Sequence, residues 1–157
     1  MKLSMTKLIT TSLLVLTTNI AVADTAKSEK HANKATHLRH AVFTLLGANM
    51  GTLGGMAKGK IPFDAKVIEQ NATRINQISY MISDYTKIDT SAYKVKTDAL
   101  DKVWSERDAY EQKVTDLTNA SAKLMEVSTS GDVKAIKSAI GGVGKTCGGC
   151  HDDFKKD

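Results

Sequence analysis

Proline occurs once in this 157-residue chain, at Pro62, so the backbone is almost nowhere forced out of a helix. β-Branched residues alternate over no long stretch, which leaves a helical period dominant. No basic run is interleaved with aromatics, and a nucleic-acid partner is not expected. No internal repeat or low-complexity tract competes with a compact domain. The apolar run near the N-terminus is short and rich in threonine, which argues against a permanent membrane anchor. Cysteine is also scarce: there are two, Cys147 and Cys150, three residues apart near the C-terminus.

The N-terminus has the three parts of a secretory signal. Lys2 and Lys7 come first, an uncharged stretch follows, and Ala21-Val22-Ala23 offers small residues before Asp24. Cleavage after Ala23 is expected, with export to the periplasm and no membrane attachment afterwards. Residues 1–23 are then a signal peptide and residues 24–157 one domain of about 134 residues. Losing Lys2 and Lys7 lowers the formal charge from +5 to +3.

Four helical segments emerge from the apolar spacing. Segment A, about 31–57, carries Leu38, Val42 and Leu45 beside Phe43, Leu46, Met50 and Leu53, a wide apolar face. "KGKIPFD" breaks it, and Asp64 is an expected N-cap for segment B, about 65–84. Val67, Ile68, Ile75, Ile78 and Ile82 share one side of segment B. Residues 86–96 have no such face and read as a long connection. Segment C, about 98–128, steps by threes and fours through Leu100, Val103, Arg107, Tyr110, Val114, Leu117, Ser121 and Leu124. Segment D, about 132–155, opens at Ser130, Gly131 or Asp132. Its inward stripe is Val133, Ile136, Ile140, Val143, Cys147, His151 and Phe154. The expected fold is all-α, an antiparallel four-helix bundle.

The cysteines fall on segment D. Cys147 and His151 are four apart and share a helix face, and Cys150 lies on the adjoining side of the same turn. "CGGCH" is the attachment signature of a c-type haem, with two thioether bonds to the ring and the histidine as an axial ligand to iron. Other chemistries use neighbouring thiols. An exported chain can oxidise them to a disulfide. A redox dithiol would normally open a helix in a βαβ setting. Structural zinc would need a fourth ligand from His31, His37 or His40. Gly141, Gly142, Gly144, Gly148 and Gly149 crowd the same segment, at about 1 kcal/mol each in a helix interior. They suit a backbone passing close to a large ring.

A single "CGGCH" on the last helix of an exported bundle resembles the cytochrome c′ family. "LRHAVFTLLGANMGTLGGMAKGKIPFDA" resembles the family's first helix and the following turn, "TDALDKVW" its entry into the third helix, and "GGVGKTCGGCHDDFKK" its haem helix. The resemblance implies one haem c per chain, bound covalently through Cys147 and Cys150 near one end of the bundle, with His151 as the metal ligand. It implies that Arg39, with His40 beside it, lies near the haem edge and its propionates. It places Thr97 near the same carboxylates and Lys155 as a basic residue on the proximal side. Phe43, four after Arg39, matches the position that faces the iron. Typical members have an apolar residue there and five-coordinate iron, whereas low-spin electron-transfer relatives have a ligating methionine. Phe43 cannot ligate.

The implied function is binding of a small diatomic gas, with nitric oxide favoured over carbon monoxide, since Phe43 occupies the distal side and offers no hydrogen bond. The rival is a low-spin electron carrier in which His40 or a methionine supplies a second axial ligand and a redox partner protein docks. Peroxidase-like catalysis would need a proton-handling group at Phe43's position, so no enzyme activity and no catalytic residue are expected. A homodimer through the first two helices is the family's habit.

Overall fold

The computed structural model describes residues 24–156. The expected signal peptide, residues 1–23, lies outside the described residues. In chain order the elements are β1 (Asp24–Thr25), α1 (Glu29–Ala57), α2 (Ala65–Ser79), α3 (Ile82–Thr86), β2 (Ile88–Asp89), α4 (Lys102–Ser105), α5 (Arg107–Ser128) and α6 (Val133–Phe154). The long helices α1, α2, α5 and α6 form an antiparallel bundle in which each packs on the next and α6 closes against α1. Among the described residues, no helix is long and apolar enough to cross a membrane.

Local chemistry sets the helix ends. Ser28 Oγ accepts from His31 N at 3.2 Å and starts α1. Asp64 caps α2 through Val67 N at 3.0 Å, and Asp132 caps α6 through Ala135 N at 3.0 Å. Each accepts one of the backbone donors that a helix start leaves free. Gly59 and Gly131 take positive φ in the two turns, at 68° and 74°, where a Cβ would be strained.

Three expectations need correction. Segment B is two helices, because the chain turns at Tyr80–Met81 between α2 and α3. Ser79 is fully buried at that point, donating to Asn76 O and accepting from Thr118 Oγ1. Segment C is also two helices, since Glu106 (φ −118°, ψ 47°) interrupts the backbone between α4 and α5. The break lets the Trp104 indole N–H and Arg107 Nη1 both reach Thr86 O, at 2.9 and 3.1 Å. Within the 86–96 connection, β2 pairs in parallel with β1, Asp24 opposite Ile88.

The apolar core is one cluster along the bundle, with Cys147 and Cys150 packed against it. Leu53, Ile68, Leu124, Ile136 and Ile140 are at most 1 % exposed there. The inward stripe of α6 holds at Ile136, Ile140, Val143 and Phe154. Val133, in the first turn, is beyond the last core layer and is 46 % exposed, and His151 is exposed. Leu38 and Leu45 also face outward, at 38 % and 55 %. The wide apolar face of α1 is thus shared between the core, a cleft and the exterior.

Candidate haem cleft

The bundle opens into a cleft of about 1300 Å³, larger than the ~300–1,000 Å³ of ordinary ligand pockets. The structure brings all eight residues singled out in the sequence to its walls. Arg39, His40 and Phe43 come from α1, Thr97 from the connection before α4, and Cys147, Cys150 and His151 from α6, with Lys155 just after it. α6 stays helical through all five of its glycines. Gly148, between the two thiols, has open space where a Cβ would stand, so the helix surface is bare there.

Both cysteines are free and half-buried. Burial pushes both thiols up, Cys150 to about 11. A redox dithiol needs a stabilised thiolate, and this site disfavours one. Among the described residues, no group of three or more His, Cys, Asp or Glu converges as a metal cage would.

Arg39 is the site's least ordinary residue. It is 4 % exposed. Nη2 donates to three hydroxyls, Thr36 Oγ1 and Thr90 Oγ1 at 3.3 Å and Thr97 Oγ1 at 3.1 Å. The guanidinium lies 5.1 Å from the Trp104 ring centroid. Nη1 is buried with no partner among the described residues. Burial lowers the Arg39 pKa, although the field of Asp89 opposes that shift. A buried cation with an unused donor is expensive unless an anion meets it. The carboxylates on a haem edge would satisfy it, so the residues present fit that group.

A strap ties this corner to the end of α6. Leu100 N donates to Phe154 O at 3.0 Å, Lys156 N donates to Asp98 O at 2.7 Å, and Ala99 pairs with Lys155. The strap carries Thr97 to Arg39, across 58 residues of sequence. Lys155 caps α6 from an extended backbone, with its N–H on His151 O. On the facing wall Lys113 Nζ pairs with Asp153 Oδ2 at 2.8 Å and fastens α6 to α5.

Sequence reasoning missed three contributors. Thr36 was legible, standing three before Arg39 on one helix face. Thr90 had no signal, being brought in by tertiary structure. Lys113 faces the cleft from α5 with no signal, whereas Tyr110, on the three-four stripe and expected in the core around the ring, lines the cleft as well. The Tyr110 ring meets Phe154 edge-on at 5.2 Å.

Comparison with known proteins finds similar chains and folds. Residues 34–155 match the family described as Cytochrome C′. Cytochrome c-554 of Cereibacter sphaeroides is 27 % identical over 139 residues, which cover 87 % of this chain and 90 % of that one. The structure of cytochrome c prime from Shewanella frigidimarina is 35 % identical, with a TM-score of 0.74, over 80 % of this chain and 97 % of that one. A ferrous variant of cytochrome c prime from Alcaligenes xylosoxidans with bound NO is 27 % identical, with a TM-score of 0.71, over 80 % and 96 %. The family match spans the bundle from residue 34 onward and every residue of the cleft except Asn33, so this chain belongs to the cytochrome c′ family, whose cofactor is haem c.

Proposed function

We propose that this chain is a periplasmic haem protein that binds small gases, nitric oxide ahead of carbon monoxide, and is not an enzyme. Cys147 and Cys150 would hold the ring as thioethers, and His151 would supply a nitrogen ligand to its iron. Arg39 Nη1 and Thr97 receive the ring's carboxylates, with His40 and Lys155 at the margin of the cleft. When bound, the haem supplies an iron on which a diatomic gas can coordinate.

The observation that carries this reading is Phe43, which lines the cleft one helical turn from Arg39; the resemblance to the family implies that it faces the iron. Its side chain has no atom that can ligate a metal or donate a hydrogen bond. It therefore favours a gas that binds tightly without such help and restricts one that needs room on that side. The relative from Alcaligenes xylosoxidans with bound NO supports the assignment.

His40 and Met50 line the same cleft and are the candidate sixth ligands of an electron carrier. The optical spectrum of the ferrous protein purified from the periplasm, with and without nitric oxide, separates the readings. The expected result is a chain beginning at Asp24 with a broad high-spin spectrum that shifts on adding the gas, and a weak response to carbon monoxide. Sharp low-spin bands unmoved by nitric oxide would show a second protein ligand and favour electron transfer with a partner protein.

A further inference from the structure

Arg39 is held from outside the cleft as well as from its wall. Of the three threonines that meet its Nη2, Thr36 and Thr97 line the cleft, whereas Thr90 does not and is 1 % exposed. The Thr90 hydroxyl lies 3.3 Å from Nη2, across 51 residues of sequence. With Nη2 met by hydroxyls, the unpartnered donor is Nη1. A guanidinium is a rigid planar fork, so fixing one nitrogen sets the direction of the other. Thr90 therefore bears on the cofactor only through Arg39.

The chain that delivers Thr90 has few ties of its own. It is fixed first at Thr86, whose carbonyl accepts from Trp104 Nε1 at 2.9 Å and Arg107 Nη1 at 3.1 Å. Between Thr86 and Thr90 runs β2, and its one strand partner among the described residues is β1. Asp24 stands opposite Ile88 and Thr25 opposite Asp89, and Ala26 N donates to Asp89 O at 2.9 Å. Ala26 is buried, so the contact is packed as well as hydrogen-bonded. A strand pair this short is marginal by itself. β1 is anchored because the chain runs from it into α1 at the Ser28 cap, and α1 carries Arg39 about 16 Å further on. Burial works against the Arg39 charge, and the field of Asp89, in β2, works for it. One continuous segment thus grips Asp89 and presents the guanidinium that the next residue, Thr90, meets.

We infer that Thr90 is a positioning residue for the cofactor and that β1 is the brace that sets it. β1 holds β2, β2 places the Thr90 hydroxyl on Nη2, and Nη1 is left as the donor for a carboxylate of the ring. This rests on the reading above that Arg39 receives those carboxylates. β1 begins at the residue that follows the expected cleavage point, so the first residues of the processed chain would act on the haem site from outside its walls. A cation beside the ring favours the reduced haem, which carries one more negative charge, so the placement of Arg39 is read by the midpoint potential.

The test is the midpoint potential of the haem-loaded protein, measured by spectroelectrochemistry, with urea unfolding alongside. Arg39→Met should lower the potential, since it removes the cation. Thr90→Val removes the hydroxyl at nearly constant shape and should lower it in part, and Thr90→Ser should restore it. Ala26→Pro removes the N–H that meets Asp89 O and should give a similar fall. The two changes together should fall no further than the larger one alone, because both act through one contact. Ile136→Val, in the core, should lower the urea midpoint and leave the potential unchanged. If Arg39→Met lowers the potential while Thr90→Val or Ala26→Pro leaves it at the wild-type value, the brace is overturned and the carboxylate reading stands. Equal falls in Thr90→Ser and Thr90→Val overturn the role of the hydroxyl. A potential unmoved by Arg39→Met instead overturns the reading that places the ring's carboxylates on Arg39.

Discussion

Tyr110 is a phenol 3 % exposed, set against Phe154 and beneath the Arg107 guanidinium at 5.2 Å. Burial pushes its pKa from 10.0 to about 12. The folded state therefore holds this proton more tightly than the unfolded chain does. The associated stability is fully present below pH 10 and is lost as pH rises towards 12. Two units correspond to about 3 kcal/mol. Urea unfolding of the haem-loaded protein should show a falling midpoint across that window, with a shallower fall in Tyr110→Phe. Equal slopes in the two proteins would show that Tyr110 does not report on folding. Arg39 has the opposite logic. It is a buried cation, and hydroxyls meet only one of its two terminal nitrogens, so a carboxylate of the bound ring, as proposed above, would complete its partners.

At the scale of elements, Arg107 shows why the helix breaks were not legible. In the sequence it occupies one step of a three-four stripe and reads as a tolerated polar residue in a long helix. In the fold its side chain turns to the C-terminal end of α3. Nη1 donates to Thr86 O at 3.1 Å and Thr86 Oγ1 at 3.2 Å, and Nη2 donates to Ser83 O at 3.0 Å. It is also ion-paired with Glu111. Periodicity passes straight through Glu106 because the apolar spacing on either side stays in phase. What ends the helix there is a demand for donors 20 residues earlier in the chain, which no local pattern encodes. The β1–β2 pair was hidden for a related reason, since two residues carry no period. The cleft residues were easier to find, because C-x-x-C-H is contiguous and Arg39 and Phe43 lie one turn apart. Replacing Arg107 by methionine keeps the stem but leaves the carbonyls of Ser83 and Thr86 without these donors. Such a loss costs about 2–4 kcal/mol. It should lower the urea midpoint and speed amide exchange at Ala26, whose N–H bonds Asp89 O at 2.9 Å in the strand pair that follows α3. Loss of stability with unchanged exchange at Ala26 would confine the role of Arg107 to α5.

For the whole molecule, α1 has three faces and each has its own partner. Val42, Leu53 and Met56 enter the core, while Phe43, Gly47, Met50 and Gly54 line the cleft. The remaining face carries Leu38, Ala41, Leu45, Ala48 and Thr52, again in three-four steps, and all but Thr52 are exposed. That spacing is a helix-pairing seam left uncovered within one chain. Its alanines permit close approach, and its leucines are each worth about 1.5–3 kcal/mol when fully buried. We propose that two chains pair through this seam, in line with the expected homodimer through the first two helices. A two-fold axis presents any change on α1 twice, so one introduced charge meets its own copy. Leu45→Glu should therefore sediment as a monomer at concentrations where the wild-type protein is a dimer. Its haem spectrum should be unchanged, because Leu45 points away from the cleft. A variant that stays dimeric would move the contact off α1, and a wild-type protein that is monomeric throughout would leave Leu38 and Leu45 as surface residues alone.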